Sequence, residues 1–275
     1  MQDPLQSPEV WLSLVDSLIG ERLYDEAARA LVAALQQHPH HPRLRSRYRP
    51  LDPLWGAVLT TSHIRLRPWA CADEAFLLRC FNTAEFMQRF HRFAAPARNP
   101  NVLRRHLSNA GFPVVKYRAI HWVIEHLTQD DAQAKRWHPI GLADLTEINL
   151  RHERAELIIG LVDPASRGHA HALTATLLLL EHAFNRMQLH KLTSLVYGDN
   201  PLAQRNTLAL GFVQEGIRHE HLRNPETGAW LDTFENGLLA NNYRNNLRLQ
   251  RLRQRLLCQR SQTPPYTRPA LRQPP

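Results

Sequence analysis

The stretch ERAELIIGLVDPASRGHAHALTATLLLLEHAF, residues 153–184, constrains the fold more than any other part of the chain. Its first third is apolar at both odd and even positions, from Leu157 to Val162, which predicts a strand in the middle of a sheet. Asp163-Pro164 ends that strand. A turn of small residues then leads into a long segment whose leucines have helical spacing. We therefore predict a strand, a tight turn and a helix, in that order.

The turn from Arg167 to Ala172 has the features of an anion site. A helix that begins there presents unpaired N–H groups and the positive end of its dipole. Small residues let an anion approach this backbone, which predicts a phosphate or pyrophosphate site. Neither Gly-Lys-Ser/Thr nor Gly-x-Gly-x-x-Gly occurs here, so a P-loop and a dinucleotide fingerprint are excluded.

The surrounding region alternates between strand-like and helix-like segments. Helices are expected after Asp73, Thr83 and Asn200. The predicted strands are His63–Trp69, Ala119–Leu127, His138–Asn149, Lys191–Gly198, Phe212–Leu222 and Trp230–Leu239. The pattern predicts an α+β fold, a mostly antiparallel central sheet with flanking helices. We assign residues 63–243 to this domain.

Residues 1–44 are predicted to form a helical hairpin. Trp11, Leu14 and Leu18 are expected on one face of the first helix, and Ala27, Leu31 and Ala34 on one face of the second. These positions resemble one tetratricopeptide repeat, with no second copy. A single pair must bury its apolar face on its own chain, which we favour, on a second protomer or on a protein partner.

Residues 45–62 lack periodicity and are predicted as a linker. The histidines at 38, 40 and 41 are interrupted by proline, so we predict no metal site there.

Charge is concentrated at the C-terminal end. The chain carries 34 basic and 25 acidic residues, and eight of the arginines lie in residues 244–275, which contain no acid. We predict a basic helix followed by a disordered Pro-rich tail there. Without an aromatic-rich basic motif, nucleic-acid binding is disfavoured.

The chain has three cysteines. They form no CxxC pair, which favours free thiols and a cytoplasmic location. No apolar run of membrane-spanning length occurs, so no membrane association is expected.

Four motifs in order give the main domain a family resemblance. They are IRLRPW, AELIIGLVDPASRGHAHA, FNRMQLHKLTSLVYGDN with an Asn-led helix closing in GFVQEG, and GAWLDTFENGLL. Together they resemble the GNAT acyltransferase superfamily, in particular its RimJ/RimL-like branch, over about 180 residues.

The resemblance implies binding of acetyl-CoA as acyl donor. Backbone amides of Arg167, Gly168, His169, Ala170, His171 and Ala172 would hold the pyrophosphate. Strand-edge groups at Leu161 and Val162 would pair with the pantetheine arm, and Asn200 would lie near the thiol. Ala170 departs from the family's usual glycine, and its methyl group is expected to narrow or alter the turn.

Transfer of an acetyl group to an amine needs a base, an oxyanion donor and a proton for the thiolate. Glu156 is the leading base, because a carboxylate in an apolar strand is functional or paired, here with Arg154. Glu147 and His219 are alternatives. Ala203 stands where many relatives have serine, which leaves Tyr197 as candidate acid or an unassisted thiolate.

The resemblance implies an acceptor slot lined by Glu74–Phe93 and the last strands. These segments contain Glu85, His91, Arg92, His219 and His221, without the carboxylate cluster that a polyamine requires. A protein N-terminus and a small amino compound therefore both remain open. The alternative function is a catalytically degenerate CoA-binding scaffold or sensor acting through its helix pair. A homodimer is also compatible with the sequence.

Overall fold

The computed structural model describes residues 7–91, 100–108, 118–129, 135–224 and 227–257. Its helices are α1 Pro8–Gly20, α2 Tyr24–Gln37, α3 Pro42–Tyr48, α4 Glu74–Asn82, α5 Ala84–Phe90, α6 Pro100–Ser108, α7 His171–Glu181, α8 Pro201–Ala209, α9 Ala240–Asn245 and α10 Leu247–Leu257. Its strands are β1 Leu59–Thr60, β2 Ile64–Pro68, β3 Ile120–Gln129, β4 Lys135–Asn149, β5 Arg154–Leu161, β6 Lys191–Tyr197, β7 Val213–Arg223 and β8 Trp230–Leu239. The predicted α+β class is confirmed.

The described strands form one sheet in the order β1-β2-β3-β4-β5-β6-β8-β7. Neighbouring strands are antiparallel except β5 and β6, which are parallel. These two strands pair only from Arg154↔Lys191 to Glu156↔Thr193 and separate beyond that point. We call the opening between 157–161 of β5 and 194–197 of β6 the β5–β6 gap.

The two faces of the sheet bury different sets of side chains, because successive residues of a strand point to opposite sides. On β5, Ala155 and Leu157 join the core that contains α7. Ile158, on the other face, packs with the cluster formed by α4, α5 and α6. Glu156 shares the face of Ile158, so its carboxylate lies on the α4–α6 side where the gap begins.

The N-terminal helices share a small core of their own. Its buried members are Leu12, Val15, Ala27, Leu31, Ala34, Leu44 and Leu51. The prediction for α2 is therefore confirmed, whereas the predicted face of α1 is wrong in part, since Leu14 is 43% exposed. Leu12 and Val15 are buried instead.

Part of the predicted linker is helical. α3 occupies residues 42–48, with Pro42 in the first turn, where a missing N–H does no harm. Its Leu44 is fully buried against the first two helices. The prediction of a segment without regular structure is wrong here, because tertiary packing stabilises a helix too short to show periodicity.

The segment after α3 contacts the domain of residues 63–243, whereas the apolar face of the helix pair packs on α3 and Leu51. The guanidinium of Arg49 donates to Glu153 at 2.7 Å and to the carbonyl oxygens of Met187 and Gln188 at 3.0 and 2.6 Å. Nearby, the indole of Trp122 donates to the carbonyl of Ala57 at 3.0 Å.

The predicted basic helix is confirmed as α10. Leu249 is buried in the core beside α7, and Arg253 forms an ion pair with Glu181. The predicted Pro-rich tail falls in residues 258–275, and with residues 1–6 it lies outside the described residues. Within the described part, no helix combines the length and apolarity needed to cross a bilayer.

Candidate active site

The edge of β5 determines which backbone groups face the β5–β6 gap. The N–H of Val162 donates to the carbonyl of Ile140 at 3.0 Å, which commits Val162 to β4. Hydrogen-bonded and non-bonded pairs alternate along an antiparallel ladder, so Ile159 and Leu161 point their N–H and C=O groups into the gap. The structure is therefore compatible with the role expected of Leu161. The N–H of Val162 is bound to β4 and cannot donate to a cofactor. The backbone of Ile159, which the sequence analysis did not single out, faces the gap and can.

The turn after β5 has the backbone that an anion site needs. Gly168 has φ +83°, in the left-handed region that favours glycine. Ala170 has φ −72° and ψ 9°, which alanine adopts without strain. The expectation that Ala170 alters the turn is thus not supported by its backbone. α7 begins directly after it, and its first N–H groups lack partners within the helix.

Arg167 is already paired. Its guanidinium donates to Glu85 of α5 at 2.8 Å, and this hydrogen bond holds the pKa of Glu85 below its ordinary value. Glu85, which the resemblance places in the segment lining the acceptor slot, is in the structure the partner of Arg167 in the turn. Arg92, also assigned to that slot, lies outside the described residues.

A pocket of about 380 Å³ lies where β5 and β6 are still paired. Its lining is formed by Glu147, Arg154, Glu156, Thr193, Ser194, Leu195, Glu215, Arg218, His221, Glu235 and Asn236. Four of these residues are glutamates. The expectation that the chain lacks a carboxylate cluster is therefore wrong, because four different strands contribute one glutamate each.

The four carboxylates fall into two pairs. Glu215 accepts from Lys191 at 2.6 Å, and Glu235 is bound by Arg218. Glu147 and Glu156 have no ion-pair partner among the described residues. The pocket therefore contains two carboxylates outside any ion pair that the described residues form, although the positive charge of Arg218 also acts on Glu156.

Glu156 is half-buried, and burial raises the pKa of its carboxyl group. A hydrogen bond from the N–H of Leu195 and the charge of Arg218 oppose this change, and the charge of Glu147 adds to it. No contact with Arg154 opposes it, so the paired alternative for Glu156 is not what the structure contains. A carboxylate with a raised pKa is the better proton acceptor.

The two alternative bases have different surroundings. Glu147 lines the pocket at a β-bulge, where its own φ is +50°. His219 has a side chain that is 77% exposed, and it contacts Asp232 at 3.2 Å. The pocket is lined by His221, and His219 is not among its lining residues.

Asn200 caps α8, since its side-chain oxygen accepts the N–H of Ala203 at 3.2 Å. Tyr197 is the last residue of β6 and lies beyond the segment of β6 that pairs with β5. It is only 5% exposed. Its role as the acid stays a prediction.

The hydrogen-bonded side-chain amides that hold the pocket wall were not predicted from the sequence. Asn236 and Gln204 exchange amide hydrogen bonds at 2.9 and 3.0 Å, and Asn236 also donates to the carbonyl of Ser194 at 3.2 Å. This network holds the pocket wall on β6. The available signal was the amide of Asn236 between the apolar residues Phe234 and Leu238 of β8, since a buried amide needs partners.

Within the described residues, no group of three or more His, Cys, Asp or Glu side chains is placed to hold a metal ion. What these residues form is a sheet opened between two parallel strands, an anion-type turn and an acid-lined pocket.

Sheet, gap and turn agree with the acyltransferase fold that the sequence resembles. The chain belongs to the GNAT acetyltransferase family, because the family model "Acetyltransferase (GNAT) domain" matches residues 63–213, more than half of the chain. Family membership confirms the expected class, an N-acetyltransferase, and the expected acyl donor, acetyl-CoA.

The relatives include spermidine N(1)-acetyltransferases. That of Vibrio cholerae serotype O1 is 38% identical over 28% of this chain and 44% of its own length. That of Escherichia coli K12 is 36% identical over 30% of this chain and 45% of its own length. The chain thus matches less than half the length of these curated relatives.

A solved relative matches over more of its length. It is the Vibrio cholerae spermidine N-acetyltransferase in complex with CoA and spermine. The identity is 26%, the TM-score is 0.55, and the match covers 67% of this chain and 100% of that chain.

Proposed function

We propose that this chain transfers an acetyl group from acetyl-CoA to a primary amine of a small polycationic acceptor, with Glu156 as the base. The observation that carries the proposal is the acid-lined pocket, which meets the β5–β6 gap at Glu156. The relatives named spermidine N(1)-acetyltransferase support this acceptor class. Assignment to the RimJ/RimL-like branch stays a prediction.

Residues of this chain fit the donor at three places. The N–H groups at the start of α7 suit the pyrophosphate, with Gly168 supplying the left-handed turn. The free edge at Ile159 and Leu161 suits the amide groups of the pantetheine arm. When bound, acetyl-CoA supplies an activated thioester carbonyl.

In the reaction, the acceptor nitrogen forms a bond to the acetyl carbon and the C–S bond breaks. Glu156 takes the proton that the amine loses, directly or through one water. An N–H of the β5 edge donates to the carbonyl oxygen as negative charge develops on it. The thiolate accepts a proton from Tyr197 or leaves unassisted.

The second amine group of the acceptor is the proposed ligand of Glu147. A cation beside Glu147 satisfies a carboxylate that lacks an ion-pair partner among the described residues. A protein N-terminus, the other acceptor that we predicted, offers no second ammonium at a fixed spacing. The pocket therefore favours the small-molecule acceptor.

Steady-state assays of Glu156→Gln and of the matched control Glu220→Gln test this proposal. Glu220 is exposed on β7 and is not among the pocket residues. We expect Glu156→Gln to lower kcat by about 10²–10⁴-fold, as for a lost general base, and to keep CoA affinity. Spermidine, putrescine and a peptide with a free N-terminus serve as acceptors.

Full turnover by Glu156→Gln would remove the base assignment, and preference for the peptide would remove the acceptor class. CoA binding by wild type without turnover of any acceptor would favour the degenerate scaffold instead. The protein partner of the helix pair stays a prediction. The homodimer also stays a prediction, and light scattering of the full chain tests it.

A further inference from the structure

A cluster of histidines lies beside the N-terminus of α7. Its members come from separate parts of the fold: His63 precedes β2, His126 and His138 are cross-strand partners on β3 and β4, and His169 and His171 belong to the turn and α7. The His126 and His171 ring centroids are 4.2 Å apart, and His169 stacks on His171 at 5.2 Å. We call these five residues the histidine cluster.

The cluster is poor in compensating negative charge. Burial is the main cause that lowers the pKa values of His126 and His171, and the other histidines lower them further. The nearby Asp163 carboxylate accepts the N–H of Ala165 at 2.9 Å, and Arg167 is bound to Glu85. Protonated imidazoles packed this closely need an anion that the described protein does not supply.

The position of the cluster indicates which anion fits. His171 is the first residue of α7, so its ring stands beside the unpaired N–H groups and the positive dipole end of that helix. A hydrogen bond with the backbone of Ser166 opposes the lowering of the His171 pKa, so the ring has one backbone neighbour besides the other histidines. The described residues present no metal-binding group here. A phosphate satisfies imidazolium donors and helix N–H groups together.

We propose that the histidine cluster is a phosphate subsite for the acyl-CoA donor, so that cofactor binding takes up protons. This inference rests on the proposed function and extends it from the turn's backbone to side chains of three further elements. The shared chemistry is a phosphate group. The cofactor offers two sources of it, the 3′-phosphate and the diphosphate.

The sign of the pH effect follows from linkage. In the free protein, burial and the neighbouring histidines lower the pKa values of His126 and His171, so these two rings favour the neutral form. A bound phosphate raises those values, so binding is coupled to protonation. Affinity for CoA is then highest at mildly acidic pH and falls as pH rises. The slope is up to about tenfold per pH unit for each proton taken up.

Calorimetric titration of the full chain with CoA between about pH 6 and pH 8 measures this slope, because histidine titrates in that range. Titrations in two buffers of different ionisation enthalpy count the protons. His126→Asn and His171→Asn are the test variants. His152→Asn is the matched control, since His152 is exposed in the β4–β5 turn. Dephospho-CoA, which lacks the 3′-phosphate, separates the two sources.

We expect proton uptake by wild type and by His152→Asn, and about tenfold weaker binding with a flatter pH profile in the two test variants. Loss of the slope with dephospho-CoA identifies the 3′-phosphate, and its retention identifies the diphosphate. Wild-type binding with no pH dependence and no proton uptake overturns the subsite but leaves the proposed function intact. Failure of wild type to bind CoA at any pH overturns both.

Discussion

Exchanging alanine and glycine at two positions of the turn tests how this loop is built. Gly168 has φ +83°, and a Cβ added there meets nothing within 4 Å. Gly168→Ala is therefore strained by its backbone alone, at about 1–2 kcal/mol, and reduced freedom of the unfolded chain offsets about 0.4–1 kcal/mol of that. We expect a net loss of about 1 kcal/mol in the free energy of unfolding.

Ala170→Gly should destabilise for the opposite reason. At φ −72° and ψ 9° the alanine is unstrained, so glycine relieves nothing and adds freedom to the unfolded chain. The expected loss is about 0.4–1 kcal/mol. Urea unfolding measures both changes.

CoA titration completes the comparison. Gly168→Ala should weaken binding, because a relaxed turn no longer presents its N–H groups together. Ala170→Gly should change the affinity for CoA by less than about fivefold, because the added conformational freedom of the loop is worth at most about 1 kcal/mol. An Ala170→Gly protein that is more stable than wild type, or that binds CoA more than about tenfold tighter, would refute the reasoning and show that the methyl group obstructs the phosphate.

Three further predictions concern charge and docking. Burial raises the pKa of Glu156, so the folded state loses stability as pH rises through that pKa. Glu156→Gln should therefore unfold at higher urea than wild type at neutral pH, and the difference should vanish below the ordinary pKa of glutamate. Glu147→Gln removes a charge that raises the pKa of Glu156, so the acidic limb of the kcat/KM profile should move to lower pH. If the limb does not move, the charge of Glu147 does not act on Glu156. Arg49→Ala should lower the free energy of unfolding by about 1–3 kcal/mol, because the hydrogen bonds to Glu153, Met187 and Gln188 are lost. Urea titration measures this change. An unchanged urea midpoint would mean that these contacts do not hold the N-terminal helices.

Register on β7 shows why part of the site could not be predicted. In a regular strand His219 and His221 would share a face, since they are two residues apart. A bulge interrupts pairing between Arg218 and Leu222, and Glu220 within it has φ +48°. His221 therefore lines the pocket, whereas His219 contacts Asp232. No local pattern in the sequence signals this bulge.

The sequence by itself determined what depends on neighbours along the chain. The apolar run of β5, the turn with Gly168 and the leucine periodicity of α7 are local features, and a carboxylate in that run pointed to Glu156. Tertiary structure alone decided the rest. It brought Glu147, Glu215 and Glu235 to Glu156 from other strands, and His126 to His171 from β3. Which residues meet across a sheet depends on strand order and register, and long-range packing fixes both.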